Sequence, residues 1–82
     1  MNDEDAILKR IIKGYLHNKG EATGKQIAIH IQEVGYGLRK QYTQESIVQK
    51  IKYWRQREPQ WLRIRWHKNE KRILSFYLEG TQ

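Results

Sequence analysis

The sequence predicts an α+β domain in which three helices precede a β-hairpin, and two kinds of hydrophobic spacing support that prediction. In three stretches, at about 3–17, 24–34 and 43–57, apolar residues recur every three or four positions, which is typical of helices with one buried face. At about 62–78, apolar and polar residues alternate, which is typical of strands packed on one side. The length of 82 residues suits one small core, so we expect a single domain over 1–82.

The first helix is predicted over 3–17 by an apolar stripe and an acidic start. The stripe consists of Ile7, Leu8, Ile11, Ile12, Tyr15 and Leu16, and it is wide enough to pack against two other elements. Three acids, Asp3, Glu4 and Asp5, occupy the first turn, where negative charge interacts favourably with the helix dipole. Because this role accounts for the acids, we assign them neither a metal nor a catalytic function.

The second helix is predicted over 24–34 by a capping pattern at its start. Thr23 and Gln26 form the sequence T-x-x-Q of a capping box, and Gly35 is placed to end the helix in a left-handed conformation. Isoleucines at 27, 29 and 31 also alternate as they would in a strand, so the spacing alone leaves both structures open.

The third helix, over 43–57, follows a loop at 35–42 and has two distinct faces. Thr43 is placed to cap it, Glu45 lies near the positive end of its dipole, and Pro59 disfavours helical geometry in the residue before it. The inner face carries Ile47, Val48, Ile51 and Trp54. The outer face carries Ser46, Gln49, Lys52, Tyr53 and Gln56.

The hairpin register follows from keeping apolar residues on one face. A two-residue turn would set arginines opposite apolar residues, whereas a connection centred on Glu70 pairs Trp66 with Leu74, Ile64 with Phe76 and Leu62 with Leu78. The other face then carries Arg63, Arg65, His67 and Tyr77, and the tip carries Lys68, Asn69, Lys71 and Arg72. Residues 21–22 are candidates for a short strand against this hairpin.

Positive charge is concentrated in one part of the chain. The net charge is +7, and between Arg39 and Arg72 eleven Lys or Arg stand against three acids, an excess of eight, while the remainder sums to minus one. Selection for solubility or heat adaptation would increase the numbers of positively and negatively charged residues together. A local concentration of positive charge is typical of a protein with a polyanionic partner. Nucleic acid is the partner we expect, with an anionic membrane surface or an acidic protein patch as alternatives.

The outer face of the third helix is chemically suited to reading base edges, because amides, a hydroxyl and a phenol can both donate and accept hydrogen bonds. The expected base contacts are Ser46, Gln49, Tyr53 and Gln56. The expected backbone contacts are Arg39, Lys40, Thr43, Lys50, Lys52, Arg57, Lys68, Lys71 and Arg72. The alternative is an ordinary surface helix whose polar face is only solvated.

Three helices, the second and third joined by a turn, followed by a hairpin with the basic tip KNEKR, resemble a winged helix-turn-helix DNA-binding domain. The resemblance covers nearly the whole chain. It implies that the helix over 43–57 is a recognition helix in the major groove of duplex DNA. It also implies that the wing, 68–72, reaches the backbone or the adjacent minor groove, as in a small transcriptional regulator. The loop GYGLRKQY is longer than the usual turn of three or four residues.

Two other binding functions compete with this interpretation. The run YWRQREPQWLRIRW interleaves aromatic residues with arginines, as a single-stranded nucleic-acid binder in replication or recombination would. Trp54 and Trp66 fall on apolar faces, so we expect them in the core, and Tyr53 and Tyr77 are the candidates for contact. A protein-interaction subunit would instead pair through the first helix, and a DNA reader could also form a homodimer through helix 3–17.

The sequence does not favour an enzyme. There are no cysteines, and the histidines, His17, His30 and His67, lie on different predicted elements without motif spacing. We therefore expect no catalytic residues, no metal and no cofactor. No apolar run has membrane-spanning length, and the first ten residues, MNDEDAILKR, are not those of a basic signal peptide. We expect a cytoplasmic protein that associates with the nucleoid.

Overall fold

The computed structural model describes residues 3–35, 38, 41–57 and 63–80. In chain order its elements are α1 (Asp3–Lys19), β1 (Glu21–Thr23), α2 (Gly24–Val34), α3 (Gln44–Arg57), β2 (Ile64–Lys68) and β3 (Leu74–Leu78). The described residues thus form three helices and one three-stranded antiparallel sheet with the order β1-β3-β2. The predicted α+β class is confirmed at this level. Our prediction that Leu62 pairs with Leu78 concerns a residue outside the described ranges.

The start of α2 is the predicted capping box. The Thr23 hydroxyl accepts a hydrogen bond from the Gln26 N–H at 3.3 Å, and the Gln26 side chain accepts one from the Thr23 N–H at 2.9 Å. Ile27 and Ile31 are buried while Ile29 is 45% exposed, so this element is a helix and not a strand. The reciprocal cap explains the outcome, because it satisfies two backbone groups that a strand would leave to another partner.

Gly35 ends α2, but the predicted left-handed conformation is wrong. Its φ is −82° and its ψ is 52°, and its N–H donates to the Ile31 carbonyl at 2.7 Å. Glycine is needed here for space. A Cβ at this position would lie 2.5 Å from the Ile31 carbonyl oxygen and 2.6 Å from Cδ1 of Leu38, a residue that packs partly buried against the core. The chain therefore turns tightly after α2 so that Leu38 can reach the core.

The candidate strand at 21–22 is present as β1, and the hairpin register differs from the predicted one. Trp66 pairs with Phe76 and Ile64 with Leu78, whereas we predicted Leu74 and Phe76 as their partners. The difference is a slip of two residues. Because side chains alternate with a period of two, such a slip keeps the apolar residues on the same face, and hydrophobic spacing cannot detect it.

Hydrogen bonds at the hairpin tip fix the observed register. The Asn69 side-chain oxygen accepts from the N–H groups of Lys71 at 2.9 Å and Ile73 at 3.1 Å, and the Asn69 N–H donates to the Ile73 carbonyl at 2.9 Å. The Arg72 N–H donates to the Asn69 carbonyl at 2.9 Å, and Arg72 has a φ of 62°. A turn followed by a left-handed residue is a common three-residue hairpin connection. The tip is consequently centred on Lys71 and not on Glu70.

The core lies between the helices and one face of the sheet. Its fully buried large side chains are Leu8, Ile12, Leu16, Ile27, Ile47, Ile51, Ile64 and Phe76. Trp54 is 3% exposed, and Trp66 packs partly buried with its ring edge-on to Phe76 at 5.9 Å between centroids. The prediction that these tryptophans belong to the core is confirmed. At about 25 cal/mol per Å² of apolar surface, burial of this kind is the main force that holds α3 in place.

Candidate nucleic-acid interface

The first turn of α3 is held by a second reciprocal cap. The Thr43 hydroxyl accepts from the Ser46 N–H at 3.2 Å, and the Ser46 hydroxyl oxygen accepts from the Thr43 N–H at 2.9 Å. The Ser46 hydroxyl also donates to the Thr43 carbonyl at 3.0 Å. Ser46 is therefore engaged inside the helix terminus, and its expected role as a base contact is corrected to a capping role. Thr43 is exposed at the end of the helix, where we expected it.

The outer face of α3 presents polar side chains to solvent. Gln49, Lys52 and Gln56 are exposed, and they lie opposite the buried stripe of Ile47, Ile51 and Trp54. Among the described residues, none of these three polar side chains forms a hydrogen bond or an ion pair. Their amides and ammonium group are consequently available to a partner.

Tyr53 extends this face as an exposed aromatic ring. It is 54% exposed, and the Arg57 guanidinium lies 5.2 Å from its ring centroid. A cation at this distance is attracted by the negative face of the ring, which orients both side chains. The last turns of α3 thus carry an exposed ring and a positive charge that lie one helical turn apart.

Lys50 does not lie on the outer face. Its ammonium forms an ion pair with Asp5 of α1 at 2.9 Å and lies 5.9 and 5.8 Å from the rings of Tyr42 and Trp54. Lys50 therefore links α3 to α1, and we remove it from the expected backbone contacts.

A second tie between α1 and the start of α3 comes from Tyr42. This residue is buried, and its phenol donates a hydrogen bond to the Glu4 carboxylate. Burial and the neighbouring carboxylate raise the pKa of the Tyr42 phenol above its ordinary value, so the donor stays protonated. Two side chains of the first turn of α1 thereby fix the position of α3.

The hairpin tip carries further cations, in addition to those of α3. Lys68, Lys71 and Arg72 are exposed, and none of them has an acidic partner among the described residues. The hydrogen bonds to Asn69 hold the backbone that carries them. Arg39 and Lys40, the remaining expected backbone contacts, lie outside the described residues.

A groove of about 480 Å³ lies between part of the outer face of α3 and one cation of the hairpin tip, Arg72. It is lined on the helix side by Gln44, Glu45, Val48, Gln49 and Lys52, on the hairpin side by Arg72, Ile73 and Leu74, and at one end by Gly24. A Cβ on Gly24 would lie 2.8 Å from Val48 and 3.3 Å from Gln44, so glycine lets α2 begin directly against α3. The close packing of the two helices places the outer face of α3 beside the hairpin tip.

The solvent-facing side of the sheet carries a separate polar cluster. Glu21 of β1 lies 2.5 Å from Nε2 of His67 on β2, with β3 between them, and both side chains are about half exposed. A hydrogen bond with Ser75 of β3, together with His67, holds the pKa of the Glu21 carboxyl below its ordinary value of 4.5. Arg65 and Glu79 form an ion pair at 2.7 Å on the same side. These contacts join the three strands.

Of the residues that we expected from the sequence to contact DNA, the groove brings together three, Gln49, Lys52 and Arg72. Other expected contacts are exposed but do not line it: Tyr53, Gln56, Arg57, Lys68 and Lys71. Six residues that line the groove were not among the expected contacts: Gly24, Gln44, Glu45, Val48, Ile73 and Leu74. Helical spacing could have indicated Glu45, since it lies one turn before Gln49 and two turns before Lys52. The position of Ile73 depends on the turn geometry, which the hydrophobic pattern did not contain.

Comparison with known proteins found no matching family model, no matching curated protein and no matching solved structure. Among the described residues, no group of three or more histidine or acidic side chains could hold a metal ion. None of the helices described here combines the length and the apolar character needed to cross a membrane.

Proposed function

We propose that this protein binds double-stranded DNA as a winged helix-turn-helix domain and acts as a small transcriptional regulator associated with the nucleoid. The third helix enters the major groove with Gln49, Tyr53 and Gln56 toward the bases, and the wing at 68–72 contacts the backbone or the adjacent minor groove. Lys52 and Arg57 contact phosphates beside the helix.

One observation carries the proposal: two polar side chains of α3, Gln49 and Lys52, and one cation of the hairpin tip, Arg72, border the same groove. Among the described residues, none of these three side chains has a hydrogen-bond or ion-pair partner. A helix about 10–12 Å across fits the major groove, which is about 12 Å wide. The hairpin beside it is then placed to meet the sugar-phosphate backbone that flanks that groove. The order of elements and the strand order β1-β3-β2 are compatible with a winged-helix layout.

The salt dependence of binding tests the proposal. If about five or six cations meet phosphates, log K for a duplex should fall with log salt concentration with a slope of about −5, at roughly −0.9 per contact. Fluorescence anisotropy with a labelled duplex, measured from low to moderate salt, gives this slope. A duplex that is not bound even at low salt would reject the proposed function.

Single-stranded nucleic acid is the second candidate ligand, and the exposed ring of Tyr53 beneath Arg57 favours it. A stacking platform uses several exposed rings, however, and Trp54 and Trp66 pack against the core. Tyr77 is half-buried and lies beside His67, with 5.7 Å between ring centroids. A matched single-stranded probe in the same salt series separates the candidates, because the proposed function requires tighter binding to the duplex.

The proposal includes a homodimer that forms through α1 and binds two half-sites on the DNA. Leu8, Ile12 and Leu16 of this helix are buried in the core, so the part left for pairing is the edge that carries Ile7, which is 39% exposed. If this edge instead serves only another protein, the basic groove would not bind DNA.

A further inference from the structure

Among the described residues that line the groove, Glu45 is the only acid. It is exposed on the first turn of α3, it lines the groove with Gln49, Lys52 and Arg72, and it has no hydrogen-bond or ion-pair partner among the described residues. The helix dipole favours an acid in this turn. That role requires only nearness to the helix start, and it does not explain why a glutamate lines the groove.

A carboxylate in this place is unfavourable for a protein that binds only the DNA backbone. Phosphates repel it, and like charges set close together weaken association. Glu45 is therefore compatible with DNA only if it meets a group that donates hydrogen bonds. A carboxylate accepts and cannot donate, so the base it faces must present a donor.

In the major groove the exocyclic amino group of cytosine is the partner that satisfies this condition best. Thymine presents an acceptor and a methyl group, and guanine presents two acceptors. Adenine offers a donor, but its adjacent N7 acceptor opposes the second carboxylate oxygen. We infer that Glu45 is a specificity-determining residue that selects cytosine in the DNA site, an inference that rests on the proposed function.

The spacing along α3 gives the position of that cytosine. Glu45 and Gln49 are four residues apart, which is about 6 Å along a helix. Base pairs follow each other at about 3.4 Å, so with α3 lying along the groove the cytosine is about two base pairs from the position that depends on Gln49.

The experiment is selection of preferred sites from random duplexes with the parent protein, Glu45→Ala and Glu45→Gln. Glu33→Ala is the matched control, because Glu33 is also an exposed glutamate but lies on α2 and does not line the groove. Thermal melting of each variant verifies that it is folded. Anisotropy then measures affinities for three kinds of duplex. These are the selected site, versions of that site in which the cytosine is replaced by another base, and an unrelated duplex.

The parent and Glu33→Ala should both enrich one cytosine and discriminate against the other bases there by about 5- to 150-fold. Glu45→Ala should lose this discrimination and bind the unrelated duplex more tightly, because a repelling charge is gone. Glu45→Gln should shift the preference toward adenine, the base that an amide recognises.

Two results would contradict the inference. If Glu45→Ala binds every sequence more tightly without a change in preference, Glu45 only repels DNA. If the parent enriches a site in which no cytosine depends on Glu45, this residue does not read bases, although the proposed function stands. Absence of any duplex binding by the parent would instead reject the proposed function itself.

Discussion

At the scale of single residues, two neighbouring side chains of α3 show that position on a helix face does not by itself define a binding role. Ser46 and Gln49 were both expected to contact bases. The hydroxyl of Ser46 is used in the cap with Thr43, whereas the amide of Gln49 has no partner among the described residues. Only Gln49 can make new hydrogen bonds without breaking existing ones.

We therefore expect opposite results from Gln49→Ala and Ser46→Ala. Gln49→Ala should weaken binding to the preferred duplex by about 1–3 kcal/mol and leave non-specific binding nearly unchanged, because a glutamine can form two hydrogen bonds to adenine. Ser46→Ala should lower the free energy of unfolding by about 0.5–1.5 kcal/mol, since it removes a hydrogen bond of the cap. Its sequence preference should be that of the parent.

Site selection and anisotropy measure the first effect, and urea denaturation measures the second. A loss of specific and non-specific affinity in equal measure for Gln49→Ala would mean that this residue does not read bases. A changed sequence preference for Ser46→Ala would return Ser46 to the base contacts.

At the scale of elements, the wing is a short connection with a hydrogen-bonded backbone and exposed charged side chains. Its backbone is fixed by the hydrogen bonds of Asn69 and by the left-handed conformation of Arg72, with a φ of 62°. The cationic ends of its side chains have no acidic partner among the described residues. Removing the charges should consequently change binding but not folding.

The test is the variant Lys71→Ala with Arg72→Gly. Glycine is chosen at 72 because it adopts the left-handed conformation more easily than alanine. Binding to all duplexes should weaken about equally, and the salt slope should become shallower by about 1.8 if both cations contact phosphates. The melting temperature should stay close to that of the parent.

The matched control is Arg10→Ala with Lys19→Ala, which removes one arginine and one lysine that are exposed on α1. Its salt slope should stay close to that of the parent. If both variants change the slope equally, the protein responds to its total charge and the wing has no particular role.

At the same scale, the sequence was sufficient to predict whether a segment forms a helix or a strand. It was insufficient to predict details, such as strand register, that depend on residues distant in the chain. The capping residues Thr23 and Thr43 correctly predicted two helix starts, because a cap is formed within a few neighbouring residues. The pairing of Trp66 with Phe76 was missed, since alternation permits any slip of two residues. Only the bonds made by Asn69 in the folded tip distinguish these registers.

For the site, local reasoning found the outer face of α3 but not its relation to the rest of the molecule. Lys50 belongs to the same helix as Gln49, yet its ion pair with Asp5 depends on how α1 packs against α3. The role of Gly35 was likewise missed, because the crowding comes from Leu38 in the folded chain. Tertiary packing decides which of several chemically similar residues remain available.

At the scale of the whole molecule, the sheet that supports the wing is joined on its solvent side by titratable groups. Glu21 on one edge strand contacts His67 on the other, and Ser75 of the central strand bonds to the same carboxylate. Because the pKa of Glu21 is lowered in the folded state, its carboxylate stabilises the fold when ionised. The stabilisation is fully present above the unfolded value of 4.5 and is lost as pH falls through the lower folded pKa.

This linkage predicts that Glu21→Gln makes the stability less sensitive to acid. The parent should lose free energy of unfolding as pH is lowered from 4.5 through the folded pKa of Glu21, and the variant should lose less over the same range. Urea denaturation at a series of pH values measures both curves. Glu33→Gln is the control, because it removes an exposed glutamate of α2 that is not part of the sheet cluster. Both variants could instead show the same dependence of unfolding free energy on pH as the parent. In that case the contacts across β3 do not stabilise the sheet, and the wing is supported by the core packing of Trp66 and Phe76 alone.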